Sequence, residues 1–315
     1  MAGHGDKAIV SSVAANTFMA VIKFVAFFIG GGAGMFSEAI HSLGDGVNSL
    51  LLLVGKKTSR RAATRLHPFG YGKRVNLACV IAGIGLIAGA YAAISHGYHQ
   101  FLEPEATGGL WTSRVVLLVG FVIDGYVLWT AMKTIAQESG VRGNTFVMAF
   151  SNFKKASATT RFVFFEDLVA TSGVVIAAIG LELSHFLGDY RIDGIAGILI
   201  GLMLVGIAIN IIRENVTTLL GKAASKEIHV KIGNLVLALP EVRDIKDIDV
   251  IENGDFFKVY MEVEANPEMP LKLADDIIHL AEATIRKEIP QVCYVSIEVM
   301  ADDNIKDWEH AQASS

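Results

Sequence analysis

The chain has 315 residues, 52% hydrophobic and 19% charged, with a formal net charge of −5. A soluble domain carries about a quarter charged residues, so charge is scarce here. The balance excludes a disordered chain and a basic nucleic-acid binder, and two cysteines, Cys79 and Cys293, exclude a disulfide framework or a cysteine-rich metal cluster.

That average conceals a split. Residues 1–220 hold the apolar mass, with 17 Lys and Arg against 13 Asp and Glu, a net of +4; residues 221–315 hold 10 against 19, a net of −9. A membrane-crossing helix needs ~20 mostly apolar residues. Six segments qualify, at 8–30, 34–55, 75–98, 113–135, 162–184 and 193–213. Only Lys7 precedes the first as a basic flank, and no small-residue cleavage site follows it, so it reads as an anchor and not a cleaved signal. The second connection carries Lys56, Lys57, Arg60, Arg61, Arg65, Lys73 and Arg74, and the fourth Lys133, Arg142, Lys154, Lys155 and Arg161. The first is uncharged, and the third and fifth are mainly acidic, with Glu103, Glu105, Glu182 and Asp189. Basic connections face the cytoplasm, so six spans place both termini and the acidic tail there. With no targeting extension, a bacterial inner membrane is expected. His96 and His99, near the outer end of span 3, are expected to face water.

After Lys222 the periodicity changes. Residues 225–238 read as a helix capped by Ser225, 243–252 and 256–264 as strands around Asn253-Gly254-Asp255, 271–288 as an amphipathic helix ended by Pro290, and 292–299 as a last strand. In the second strand, Val259, Met261 and Val263 alternate with Lys258, Tyr260, Glu262 and Glu264. The fold class is therefore an α-helical membrane protein: six transmembrane helices (residues 1–220), then a small α+β domain of order α-β-β-α-β (residues 221–315). Two helices cover one face of the sheet, and a second copy of the chain is the simplest cover for the other. The tail has no catalytic triad, P-loop or GxGxxG, so no enzyme activity or cofactor is indicated.

Charge inside a bilayer is costly and marks a pathway or a pair. Span 2 holds Glu38, His41 and Asp45. His41 and Asp45, four residues apart, share a helix face and offer either half of a Zn²⁺ site, which accepts nitrogen and oxygen ligands, or a polar seam between helices. Span 5 holds Glu166 and Asp167, about 100° apart around the helix. Glu166 either assists a metal or forms an ion pair, for which Lys23 in span 1 is a candidate partner, or stands without one. Asp124 in span 4 is either a structural counter-ion or part of a proton path. Carboxylate and imidazole ligands bind metal only when deprotonated. Metal uptake then releases protons and protonation expels metal, the basis of a metal/proton antiporter. A membrane-embedded metal-binding or signalling protein without transport is the alternative.

Two segments carry a resemblance. Ser37-Glu38-Ala39-Ile40-His41-Ser42-Leu43-Gly44-Asp45 resembles the span-2 signature of the cation diffusion facilitators, and His67-Pro68-Phe69-Gly70-Tyr71-Gly72-Lys73 resembles their sequence before span 3. The resemblance covers residues 8–300. It implies a homodimeric divalent-cation/proton antiporter exporting Zn²⁺, or Co²⁺, Ni²⁺, Fe²⁺ or Mn²⁺, across a lipid membrane in exchange for H⁺, with no nucleic-acid partner. It places metal ligands at His41, Asp45 and Asp167. Zinc members often have a histidine four residues before the span-5 aspartate; here that position is Val163, so the implied site has three ligands completed by water or Glu166. A branch resembling the animal mitochondrial zinc exporter shares the Glu-Asp pair and the long connection 137–161. His67 matches a loop-borne second metal site whose other positions are Thr64 and Tyr71 here, so that site is expected to be lost. Lys73 matches a dimer-holding charge cluster whose acidic partner is Gly221 here, leaving Glu214 or another residue to substitute. In the tail, the positions that sense zinc in other members hold Lys246, Tyr260, Glu298 and Met300, with His229 and His279 on helices. A dimerising tail with little or no high-affinity metal sensing is expected.

Overall fold

The computed structural model describes residues 2–61, 63–138 and 158–308, together with 145 and 147. Arg142, Lys154 and Lys155 lie outside the described residues, as does the side chain of Val163. The long helices are α1 (Ala2–Gly30), α2 (Ala33–Ser59), α3 (Arg74–Leu102), α4 (Leu110–Glu138), α5 (Ala158–Leu187) and α6 (Arg191–Leu219). The smaller elements are α7 (Lys226–Leu237), β1 (Asp244–Asn253), β2 (Phe256–Ala265), α8 (Leu271–Glu288) and β3 (Val292–Ala301). Chain contacts divide them into two compact units, Met1–Leu53 with Cys79–Ile212, and Val54–Ala78 with Arg213–Ser315.

Val13–Gly30, Arg74–Leu102, Leu110–Ala136, Glu166–Leu187 and Arg191–Leu219 are long and apolar enough to cross a membrane. With 27 residues, or about 40 Å at 1.5 Å per residue, α2 has the length as well. It reads less apolar because Glu38, His41, Asp45, Lys56 and Lys57 fall within it. Its first half is enclosed by protein: Ala33, Met35, Ser37, Glu38, Ala39, His41 and Ser42 are buried, so those polar groups avoid lipid. One core joins Ala26, Met35, Val116, Leu117, Val174, Ala177, Leu181 and Ile200 from α1, α2, α4, α5 and α6. A second joins Leu86 and Ala90 of α3 to Leu204, Ala208 and Ile211 of α6, with Ile40 packed against it. Large apolar side chains such as Phe28, Ile84 and Leu118 point outward, as lipid-facing helices require.

A buried carboxylate anchors α2. Asp193, in the first turn of α6, accepts the backbone N–H of Ala33 and that of Gly34 at 3.3 Å. The preceding Gly31 and Gly32 offer no capping side chain, so a neighbouring helix supplies the acceptor that a helix N-terminus needs. His96 departs from its expected place facing water: its ring packs between Phe27 and Phe36, with centroids 5.3 and 4.7 Å away, because α1 and α2 present aromatic side chains to that turn of α3. His99 is exposed, 3.4 Å from Glu103.

The second unit contains a three-stranded sheet of order β1-β2-β3. The first pair is antiparallel and the second parallel, the latter linked through α8, in the expected α-β-β-α-β order. The hairpin turns at Gly254-Asp255, and Gly254 takes φ +69°, the left-handed conformation a primed two-residue turn needs at its first position. Val259, Met261 and Val263 enter a core with Ile232, Val236, Ala281 and Ile285 of the two helices. The alternation fails at Glu264, which is fully buried instead of lying on the open face. The segment after β3 covers it: the Asp302 N–H donates to the Ala265 carbonyl at 2.9 Å, the Asp307 N–H to Asp244 at 2.7 Å, and buried Trp308 to Asn234 at 3.2 Å.

Candidate functional site

Glu38, His41 and Asp45 are spaced three and four residues apart, so α2 presents them as one stripe. Lys23 of α1 meets the top of that stripe: its ammonium lies 2.8 Å from Glu38 Oε2, and both side chains are buried. Lys23, one candidate partner for Glu166, is paired with Glu38 instead. α1 turns Lys23 toward α2, and its reach is used by Glu38. On the far side Glu38 abuts Gly173 of α5, where a Cβ would collide with Glu38 Oε1.

Lower on the stripe, His41 Nε2 lies 3.5 Å from Asp45 Oδ2. Neither ring nitrogen of buried His41 has a hydrogen-bond partner among the described residues, and neither has the buried Oδ2 of Asp167. Asp45 keeps 29% of its side chain exposed. Asp124 of α4 lies within electrostatic range of Lys23, Glu38, His41 and Asp45. Asp167 stands in range of Asp124 and Asp45, and Glu166 in range of Asp45 and Asp167. The helices thus gather Glu38, Asp45, Asp124, Glu166 and Asp167 around one ammonium and one imidazole, an interior whose charge favours a cation. His41, Asp45 and Asp167 do not close to a trio with ligand atoms within 4.8 Å. Among the described residues, the group that does so is Glu264, Asp303 and Asp307.

The His67-to-Lys73 segment is a packed turn. His67 is exposed and its ring lies 4.4 Å from that of Tyr71, whose hydroxyl is 3.1 Å from Thr64 Oγ1. The two positions flanking His67 thus bond to each other. Phe69 packs edge-on against Tyr294 at 5.3 Å, under the Lys258 ammonium at 4.1 Å. Burial, reinforced by the like charge of Lys73, lowers the pKa of Lys258. Lys73 donates to the Leu219 carbonyl at 2.7 Å, at the negative end of α6, and takes that acceptor instead of Glu214.

In the C-terminal domain, Lys246 pairs with Asp303 at 2.7 Å, Tyr260 packs against Tyr294 at 5.6 Å, and Glu298 and Met300 are exposed. Burial raises the Tyr260 phenol above its ordinary pKa. His229 stacks on Trp308 with centroids 5.6 Å apart, and exposed His279 lies 3.7 Å from Asp275. Two buried acids, Asp193 and Glu264, are not singled out by the sequence. Their signals are faint: an acid in the first turn of an apolar span, and a charge at the end of a strand whose neighbours are apolar.

Two family models match successive parts of the chain. Residues 9–220 match the model of the cation efflux transmembrane domain, and residues 224–300 that of the cation efflux protein cytoplasmic domain. The proton-coupled zinc antiporter SLC30A9, mitochondrial, of Mus musculus is 28% identical over 249 residues, 79% of this chain and 44% of that protein. Metal tolerance protein C4 of Arabidopsis thaliana is 27% identical over 270 residues, 84% of this chain and 58% of that one. The cation-efflux pump FieF of Klebsiella pneumoniae is 24% identical over 291 residues, 90% of this chain and 89% of that one. The chain spans less than half the length of the zinc antiporter.

Proposed function

This chain belongs to the cation efflux family, and from that premise we propose that it exports a divalent metal cation, zinc foremost, in exchange for protons, as a homodimer working by alternating access. The observation that carries the reading is that both nitrogens of His41, whose Nε2 lies 3.5 Å from Asp45 Oδ2, and Oδ2 of Asp167 are among the buried polar atoms of the membrane unit without a hydrogen-bond partner. Buried polar groups are normally partnered, and these are of the types that ligate Zn²⁺.

In this reading His41, Asp45 and Asp167 take the metal from the cytoplasm, with water or Glu166 completing the site. Uptake requires the carboxylates and imidazole to be free of protons, so protons from the other side displace the cargo after the helices rearrange. Co²⁺, Ni²⁺, Fe²⁺ and Mn²⁺ accept the same donors. Lys23 and Glu38 neutralise each other and leave the lower stripe to the metal, and Asp124 serves either on the proton path or as a structural counter-ion. Residues 1–220 form the transport domain and 221–315 the dimerisation domain. Both termini are cytoplasmic, as the basic connections at 56–74 require, and the membrane is a bacterial inner membrane. The Klebsiella relative, of comparable length, supports that setting.

The test is metal-driven proton flux in proteoliposomes. Asp45→Ala and Asp167→Ala should each abolish it. Wild-type flux in either variant would overturn the ligand assignment, and metal binding without flux in the parent would favour the non-transporting alternative.

A further inference from the structure

The C-terminal domain holds a second cluster, distinct from the ligands proposed above. Ligand oxygens of Glu264, Asp303 and Asp307 lie within 4.8 Å of one another. An acidic cluster at a surface is ordinary; the unusual member is Glu264. Its side chain is 1% exposed, and neither carboxylate oxygen has a hydrogen-bond partner among the described residues. The Lys246 ammonium approaches one of them to 3.6 Å and is held by Asp303 at 2.7 Å. A buried carboxylate without donors is costly, yet this one is enclosed by the chain's own return after β3 and directed at two further carboxylates.

The surrounding charge does not balance. Asp244 is buried and accepts the Asp307 N–H, and Asp302 pairs with Arg243 at 2.8 Å. Lys306 donates to the Arg243 carbonyl at 3.0 Å. Five carboxylates thus face three cationic groups, Lys246, Arg243 and Lys306, so acidic groups outnumber basic ones here. All donors are oxygens, and neither histidine nor cysteine belongs to the group. Such a set suits hard cations, which take carboxylate, carbonyl and water oxygens, and not the softer metals that seek imidazole or thiolate.

We propose that Glu264, Asp303 and Asp307 form a binding site for a hard divalent cation of the calcium or magnesium kind. Glu264 is the inner ligand, fixed at the end of β2. Asp303 and Asp307 come from the segment after β3, so the ion ties that segment to the sheet and adds to the counter-charge that Lys246, 3.6 Å away and shared with Asp303, gives Glu264. Lys246 partly fills this role in the free protein, 2.7 Å from Asp303, and is displaced outward when the cation binds, leaving Asp303 to the ion. The site is independent of transport: it stiffens the domain at divalent concentrations set by the surrounding solution.

Terbium is the probe, since it replaces hard divalent cations and luminesces when excited through a nearby indole. Trp308 adjoins Asp307 in the chain and is buried in this domain. The detergent-solubilised chain should give saturable Tb³⁺ luminescence on tryptophan excitation, displaced by Ca²⁺ or Mg²⁺. Glu264→Gln should weaken Tb³⁺ affinity by roughly tenfold or more, since even outer-shell changes cost that much. Asp303→Asn, at an exposed side chain that does not endanger folding, should do the same, while Asp45→Ala should leave the signal unchanged. Absence of a saturable signal in the parent, a signal that survives Asp303→Asn, or one lost in Asp45→Ala would each overturn the proposal. Loss of flux in Asp45→Ala with Tb³⁺ binding intact separates this site from the transport reading.

Discussion

The Lys23–Glu38 pair gives the sharpest test of how the membrane unit is held together. Its atoms are 2.8 Å apart, Lys23 is 1% and Glu38 0% exposed, and Glu38 Oε1 already lacks a donor. Lys23→Met would leave a whole carboxylate without a counter-charge between α1, α2 and α5, and Glu38→Leu would leave the ammonium alone. Breaking a buried pair from one side costs about 3–5 kcal/mol, because an uncompensated charge remains. Replacing both partners by apolar groups of similar volume removes the charge and its desolvation together, so Lys23→Met/Glu38→Leu should fall within about 1 kcal/mol of the parent, or above it. At ~2–4 °C per kcal/mol, each single variant should melt about 10 °C lower and the double variant should recover most of that loss. Thermal unfolding of the detergent-solubilised protein, followed by intrinsic fluorescence, reads all four members of the cycle. Single variants that cost less than about 1 kcal/mol, or a double variant as unstable as the sum of the two, would refute the reasoning. Flux in the double variant then separates structure from chemistry: a structural pair leaves transport intact, and a proton-path pair does not.

Two further outcomes follow from backbone geometry. Asp193→Ala removes the acceptor of the Ala33 and Gly34 N–H groups and should destabilise the membrane unit by about 1–3 kcal/mol; Asp193→Asn, which keeps a carbonyl oxygen, should lose less, and melting curves of both variants check the order. Gly254→Ala forces a side chain into φ +69° and against the Gly72 carbonyl. It should cost at least about 1–2 kcal/mol, visible as a lowered midpoint in denaturant titration, and no change there would mean that the hairpin tolerates a different turn.

The long helices were legible because a bilayer leaves little choice: each backbone polar group must be paired internally, so an apolar run of sufficient length is a helix. The tail was legible for a similar reason, since Val259, Met261 and Val263 alternate at the period of a strand. His41 and Asp45 could be placed together because both lie on one helix, where spacing alone sets the distance. Lys23 could not be assigned the same way. Glu38 and Glu166 are both within reach of its long side chain in principle, and the choice depends on how α1 is rotated against its neighbours. In the sequence Asp193 is one charge at a span end, and its role appears only when α6 is set beside the start of α2. Glu264 followed its strand's alternation in sequence and departed from it in space.

The sequence by itself therefore determined the spans, the order of the small domain, and the stripe of Glu38, His41 and Asp45, all properties of short stretches governed by helix and strand periodicity. Tertiary structure alone decided that Lys23 serves Glu38, that Asp193 holds the N-terminus of α2, and that the segment after β3 encloses Glu264 with Asp303 and Asp307. Each of these depends on charged groups from distant stretches meeting where water is excluded, and periodicity carries no record of which distant partner completes a charge.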